Sequence, residues 1–141
     1  MRVERVIEAD DRLLAGLARL LPQPSPGREP PSHEHVAEIV ERQTLLVARD
    51  DGDAIVGTLT LVVYRAPSGL RARIEDVIVD EAVRARGTGE VLTREAMRLA
   101  AEAGVRTVEL TSAPEREAAN RLYRRLGFDR RATNVYVWRP L

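Results

Sequence analysis

The spacing of apolar and polar residues along the chain predicts ten secondary-structure elements. Apolar and polar residues alternate over positions 2–8, as in a half-exposed strand, whereas positions 77–79 are continuously apolar, as in a strand covered on both faces. Asp10 or Asp11 could cap a helix in which leucines recur at helical spacing, and Ser32 is a suitable cap for a second helix. The predicted strands cover residues 2–8, 45–48, 54–64, 73–79, 105–110 and 134–138, and the predicted helices cover residues 11–21, 33–40, 91–103 and a segment beginning near the capping pattern of Ser112 and Glu115.

The order of these elements is β-α-α-β-β-β-α-β-α-β, which indicates one α/β (α+β) domain with a mixed sheet over residues 1–141. The strand–helix–strand unit of residues 74–110 should be parallel, because a helix separates its two strands. Pro22 ends the first helix, and residues 22–31 are expected to form a loop that borders a substrate site.

Composition excludes several kinds of protein and site. The absence of cysteine rules out disulfides, thiolate metal sites and cysteine nucleophiles. Lys plus Arg and Asp plus Glu number 22 each, so no broad positive field favours nucleic acid. No apolar run approaches the ~20 residues of a membrane span, and no signal-peptide core follows Met1. We therefore expect a cytoplasmic protein that binds neither nucleic acid nor membrane, and no metal, since His33 and His35 lack an evident third ligand.

The most informative segment runs from Arg84 to Glu90, between a buried strand and the start of a helix. A helix start leaves about four backbone N–H groups unpaired and carries roughly half a positive charge, and an anionic phosphate satisfies both. Gly87 and Gly89 lack a Cβ, so the backbone can approach a pyrophosphate closely. A tight turn is the alternative interpretation, because two glycines at this spacing often occur by chance.

Two other phosphate-binding loops fit less well. The dinucleotide-binding fingerprint requires a third glycine, and Leu92 stands at that position. The ATP-binding loop requires Gly-Lys followed by Ser or Thr, and the chain contains no lysine.

Three segments together resemble the GNAT superfamily of acyl-CoA-dependent N-acyltransferases: Val77-Ile78-Val79, Arg84-x-x-Gly87-x-Gly89 and Asn120-x-x-Tyr123-x-x-x-Gly127-Phe128. The resemblance covers about residues 45–138. It implies a pair of parallel strands that splay apart to admit the pantetheine arm of acetyl-CoA, the acyl donor. The residues it implies in cofactor binding are Val77, Ile78, Val79, Arg84, Ala85, Arg86, Gly87, Thr88, Gly89, Glu90 and Asn120.

The resemblance also implies that Tyr123 lies near the thioester sulfur and protonates the leaving thiolate, for which a phenol with a pKa of ~10 is competent. The residue pattern alone equally allows Tyr123 to be a core residue, since it falls on the apolar stripe of its helix. Glu75 and Asp76 are candidates for the base and for acceptor binding, because acids are uncommon in so apolar a strand. An ion pair with Arg71 or Arg73 is the structural alternative.

The sequence therefore predicts an acetyl-CoA-dependent N-acetyltransferase that acts on a small-molecule amine. Acetylation of a protein or peptide amine and a non-catalytic acyl-CoA sensor remain open, and the acceptor is not determined. The apolar run at residues 135–138 further suggests a homodimer formed through the last strand.

Overall fold

A computed structural model of the protein describes all residues, 1–141. The chain forms two compact units, Met1–Leu110 and Thr111–Leu141. The first unit contains β1 (Arg2–Arg5), α1 (Asp11–Leu20), α2 (His33–Arg42), β2 (Thr44–Arg49), β3 (Ile55–Ala66), β4 (Gly69–Val79), a 3-10 turn (Glu81–Val83), α3 (Thr88–Ala103) and β5 (Val108–Glu109), and the second contains α4 (Glu117–Arg125).

A five-stranded sheet with the order β1-β2-β3-β4-β5 forms the first unit. The first four strands are antiparallel neighbours, and β5 joins β4 in parallel after the crossover through α3. The predicted mixed α/β fold is confirmed. The predicted parallel pair is also confirmed, although β5 pairs with β4 only at Ala72↔Val108 and Arg73↔Glu109 and is shorter than the predicted strand 105–110.

Capped amphipathic helices cover this sheet. The Asp10 carboxylate accepts a 2.8 Å hydrogen bond from the Leu13 amide, so Asp10 is the cap among the two predicted candidates. The Ser32 hydroxyl accepts a hydrogen bond from the His35 amide, which confirms the predicted cap of the second helix. The core beneath α1 and α2 consists of Leu13, Leu17, Leu20, Val36, Leu45, Val47, Ile55 and Ile78. The helices therefore bury one face and leave their polar residues in solvent.

Gly57 explains how α3 can start so close to the sheet. A Cβ at this position in β3 would lie 3.0 Å from the side chains of both Thr88 and Leu92, which belong to the first turns of α3. Thr88 and Leu92 are themselves buried. A larger residue in place of Gly57 would push the helix start away, so this glycine fixes the position of the N-terminus of α3.

The second unit differs from prediction at two places. Helix α4 begins at Glu117 with Arg116 at its N-cap and no side-chain cap, so the predicted capping box of Ser112 and Glu115 is wrong. The Ser112 hydroxyl is instead buried without a hydrogen-bond partner. The predicted final strand, residues 134–138, is not a strand, because residues 128–141 have no strand partner for their backbone groups.

Candidate active site

The loop between β4 and α3 has the backbone geometry of an anion-binding site. Ala85 and Gly87 both adopt the left-handed conformation, with φ of 68° and 81°. Gly87 is the N-cap of the 16-residue helix α3 and supplies no side-chain hydrogen bond. The first helical hydrogen bond of this turn runs from the Val91 amide to the Gly87 carbonyl, so the amides of Thr88 and Gly89 have no intrahelical acceptor. A Cβ on Gly87 would meet no atom within 4 Å, so open space lies beside these donors.

Charged side chains flank this helix start. Arg84 is exposed and lies 3.9 Å from Glu81, and Arg86 is exposed as well. Glu90, in the first turn of α3, pairs with Arg94 at 3.3 Å, which offsets part of its negative charge. The loop thus combines unpaired amides, the positive end of a helix dipole and two arginines, a combination suited to a phosphate or pyrophosphate group.

A polar cluster that sequence reasoning missed ties the start of this loop to α1. The buried carboxylate of Asp80 accepts hydrogen bonds from Arg19 and from the Ala82 amide, at 3.1 Å for the amide, while Arg19 also donates to the Ile55 carbonyl. Gln23 accepts a 2.9 Å hydrogen bond from the Glu81 amide. The Ala82 amide, together with Arg19 and Gln23, lowers the pKa of Asp80 despite its burial, so the carboxylate stays ionised.

The strand before the loop has an open edge and a bulge. No β5 residue pairs with β4 beyond Arg73, so the β5 side of residues 74–79 is unpaired. The register of the β3–β4 pair shifts between Thr58 and Thr60, which places one residue of β3 opposite two of β4. Asp76, at this bulge, has a φ of 50°. A positive φ in a residue other than glycine is uncommon and points to a functional constraint.

The two adjacent acids of β4 have different surroundings. Glu75 pairs with Arg73 at 3.1 Å, which is the ion pair considered as the structural alternative. Asp76 lies 3.8 Å from Arg28 in the connection between α1 and α2. Neighbouring residues of a regular strand point to opposite faces, and the left-handed backbone at Asp76 departs from regular strand geometry at this point.

Asp76 borders a cavity of about 240 Å³ inside the first unit. Residues 28, 29 and 31 of the proline-rich connection line it, together with side chains from α1, α2, β2 and β3. The cavity thus lies beside the predicted loop of residues 22–31 and at the bulge of β4. Its lining contains Asp76 but not Glu75.

In the second unit, Tyr123 is the buried residue of α4. Its ring makes an edge contact with Phe128, at a centroid distance of 5.8 Å. Burial raises the pKa of Tyr123, and nearby Arg116 opposes that rise, so the phenol is protonated at neutral pH. Asn120 donates a 3.0 Å hydrogen bond to the Ala113 carbonyl and so holds the segment before the helix.

The two histidines considered as metal ligands lie on the surface. His33 and His35 are exposed in the first turn of α2. No group of three or more His, Cys, Asp or Glu side chains is arranged to hold a metal ion. None of the helices has both the length and the apolar character needed to cross a bilayer.

The sequence model of the acetyltransferase (GNAT) family matches residues 13–128, which include the cavity, the loop and both α4 residues above. The chain belongs to the GNAT acetyltransferase family. The resemblance drawn from the three sequence segments is thereby confirmed, and family membership supports acyltransferase activity.

Solved structures share this GNAT fold. An aminoglycoside acetyltransferase from an uncultured soil metagenomic sample, in complex with trehalose, is 22% identical, with a TM-score of 0.84 over 99% of this chain and 95% of that one. A glucosamine-6-phosphate N-acetyltransferase from Arabidopsis thaliana is 19% identical, with a TM-score of 0.81 over 97% of each chain. A transcriptional regulator from Bacillus halodurans C-125 is 28% identical, with a TM-score of 0.76 over 99% of each chain. No curated protein matches this GNAT chain by sequence.

Proposed function

We propose that the chain is an acetyl-CoA-dependent N-acetyltransferase that acetylates the primary amine of a small molecule. The observation that carries this proposal is the junction of β4 and α3. There, β4, whose edge is open beyond Arg73, leads into the start of α3. The amides at this helix start have no side-chain cap and border open space at Gly87. An extended, amide-bearing arm that ends in a pyrophosphate fits both parts.

Three groups of residues are proposed to bind the acyl donor, each contacting a different part of it. Main-chain groups of Val77, Ile78 and Val79 on the open edge of β4 would pair with the pantetheine amides, as an added strand would. The segment Arg84–Glu90, through the amides of Arg86 to Glu90, would hold the pyrophosphate. Asn120 would contact the cofactor arm through its side-chain oxygen, because its amide nitrogen already donates to Ala113.

Bound acetyl-CoA supplies an acyl thioester, whose carbonyl carbon forms a bond to the amine nitrogen while the carbon–sulfur bond breaks. The Val77 N–H would donate to the carbonyl oxygen as negative charge develops there. Glu75 would accept the amine proton, directly or through water, and Asp76 would bind the acceptor. Tyr123 would give its proton to the departing sulfur, which yields the free thiol and the acetamide.

The cavity at Asp76 supports a small-molecule acceptor. The connection between α1 and α2 covers one side of the cavity, which suits a compact amine better than a long peptide. Two solved structures with this fold carry the names of enzymes for small amines, an aminoglycoside and glucosamine 6-phosphate. A non-catalytic acyl-CoA sensor is the second candidate, because another structure with this fold is named a transcriptional regulator.

The test combines binding with turnover. Calorimetric titration with coenzyme A and acetyl-CoA measures donor affinity, and free-thiol release with a panel of amines measures transfer. We expect donor binding and amine-dependent thiol release. Donor binding without release for any amine would favour the sensor, and no affinity for either form of coenzyme A would refute both candidates.

A further inference from the structure

We propose that the acceptor is a monoamine with a compact apolar body, whose ammonium group binds Asp76 in place of Arg28. This inference rests on the proposed function and concerns its acceptor class. It follows from the lining of the cavity, the state of its ion pair, its charge and its size, all within residues 1–110.

The inner wall of the cavity is mainly apolar. Leu17 of α1, Leu21 at the C-cap of α1, Ile39 of α2 and Leu45 of β2 line it. Thr58 and Thr60 of β3 complete the lining, and the Thr58 hydroxyl already donates to the Leu46 carbonyl at 3.1 Å. Leu17 and Leu45 are nearly fully buried, and Leu21 and Ile39 partly so. Hydroxyl groups or a second ammonium placed against these aliphatic side chains would lose water without gaining hydrogen-bond partners. A hydrocarbon body loses nothing there and gains buried apolar contact.

At the polar end of the cavity, Arg28 and Asp76 form a weak ion pair. The closest approach of Arg28 and Asp76 is 3.8 Å, and their side chains are 40% and 59% exposed. Ion pairs this long and this exposed contribute little. An incoming ammonium can therefore displace Arg28 and take Asp76 as its partner. The bulge that sets φ of Asp76 to 50° keeps the carboxylate at this place on the cavity rim.

Charge argues against a phosphorylated acceptor. The charged residues that line the cavity are Arg28, Glu29 and Asp76, with a net charge of −1. The one cation among them already faces a carboxylate. A phosphate would need further cationic donors and would meet two carboxylates instead, whereas a single ammonium compensates the net charge of the site.

Size argues against a large or extended acceptor. A volume of about 240 Å³ holds about eight groups of water size, at roughly 30 Å³ each. That is one aromatic ring with a short aminoalkyl arm, or an alkylamine of about six carbons. A multi-ring aminated sugar could place only one ring inside.

The experiment measures KM and kcat by thiol release at saturating acetyl-CoA for 2-phenylethylamine, hexylamine, spermidine and glucosamine 6-phosphate. In parallel, calorimetry measures amine binding directly. We expect kcat/KM to be at least tenfold higher for the first two amines than for the last two. Preference for spermidine or for glucosamine 6-phosphate would overturn the inference.

Two variants test the polar end. Asp76→Asn should raise the KM for 2-phenylethylamine at least tenfold and leave the KM for acetyl-CoA unchanged. Arg28→Ala should leave the amine KM unchanged or lower it, because the competing cation is gone. A rise in amine KM in Arg28→Ala, or none in Asp76→Asn, would contradict the displacement.

The calorimetric measurement of amine binding separates the proposed acetyltransferase function from the proposed acceptor class. If no amine is acetylated but 2-phenylethylamine binds in an Asp76-dependent manner, the proposed function fails and the apolar amine site stands. If acetyl transfer occurs but apolar amines neither bind nor react, the function stands and this inference is wrong. If no amine binds at all, the inference is also wrong.

Discussion

Residues 1–110 bury a continuous set of apolar side chains, whereas residues 111–141 bury one large hydrophobic side chain, that of Tyr123. The first unit holds the anion-binding loop, the open edge of β4 and the cavity at Asp76. The second holds the proposed proton donor and four consecutive exposed apolar residues, positions 135–138. Acceptor binding, proton abstraction and most donor contacts are thus assigned to the first unit, while proton transfer to sulfur and the Asn120 contact with the cofactor arm are assigned to the second.

This division has a consequence that mutations can test. A change in the loop before α3 or at Asp76 should alter affinity for donor or acceptor, while a change at Tyr123 should alter turnover at unchanged affinity. Changes in the tail, which we define as residues 128–141, should alter neither affinity nor turnover, because its exposed side chains are not part of the proposed site. A variant that violates this order would show that the division is wrong.

The largest expected effect is that of Tyr123→Phe, which removes the proposed proton donor and keeps the ring. We expect kcat to fall about 100-fold, as is typical for loss of a general acid, with the KM for acetyl-CoA unchanged. Tyr136→Phe is the matched control, because it removes the same hydroxyl from a residue exposed in the tail. An unchanged kcat in Tyr123→Phe would leave Tyr123 as a core residue.

The pH profile sharpens this first prediction. Burial raises the pKa of Tyr123, so the phenol should remain a proton donor through neutral and mildly alkaline pH. We therefore expect the alkaline fall in kcat, which reports loss of the donor proton, to lie above pH ~10. Tyr123→Phe should abolish that limb of the profile.

The second prediction compares the two ends of helix α3. Gly87 and Gly104 have nearly equal φ, 81° and 82°, and a Cβ on either would meet no atom within 4 Å. Alanine at either position should therefore destabilise the chain to a similar degree, by about 1–2 kcal/mol. Only Gly87→Ala should weaken acetyl-CoA binding, by about tenfold, because its Cβ occupies the open space beside the unpaired amides.

Calorimetric titration with acetyl-CoA and thermal unfolding of both variants distinguish an effect on the donor site from an effect on helix stability. Equal loss of affinity in Gly87→Ala and Gly104→Ala would mean that the effect is one of helix stability. Unchanged affinity in both would remove the loop from the donor site.

The course of the chain through this site was predictable where local sequence determines it. The apolar run 77–79, the glycines at 87 and 89 and the helical spacing after residue 90 are local features, and the strand, loop and helix followed from them. The cap at Ser32, and a cap at either Asp10 or Asp11, were predictable for the same reason. Each of these predictions needed no knowledge of distant residues.

The rest depends on contacts between residues far apart in the sequence. Asp80 meets Arg19 and Gln23 from 61 and 57 positions away, and no local pattern indicates that meeting. The bulge at Asp76 arises from the register of β4 with β3, which no local pattern of the sequence indicates. The tail reads as a strand from its composition, but a strand requires a partner.

The third prediction concerns the cluster that holds the start of the loop. Asp80→Asn keeps the shape of the side chain but removes its charge, and we expect the free energy of unfolding to fall by about 1 kcal/mol at pH 7. Acetyl-CoA affinity should fall about threefold, because the segment that leads into the loop is less firmly placed. Asp51→Asn, on a fully exposed carboxylate, should change neither quantity.

The pH dependence of this third effect has a definite sign. The pKa of Asp80 lies below its ordinary value of 3.8 in the folded chain, so its stabilisation is present above that value and is lost as pH falls through the folded pKa. The difference between wild type and Asp80→Asn should therefore be constant well above the ordinary pKa of 3.8 and shrink as the pH falls below it. Urea unfolding followed by circular dichroism measures it, and a difference that grows on acidification would contradict the assignment.

The smallest expected effect on kcat is that of changes in the tail. Single exposed apolar residues are common, but positions 135–138 form a contiguous run, with Tyr136 88% exposed and Trp138 84% exposed. An extended apolar segment without a partner is suited to pair with a second copy of the chain, as the homodimer prediction requires. Val135→Ser with Val137→Ser should shift the protein from dimer to monomer in sedimentation velocity and change kcat less than twofold. Ile7→Ser alters an equally exposed apolar residue of the first unit and should leave the dimer intact, so a wild-type monomer, or a dimer lost in both variants, would refute pairing through the tail.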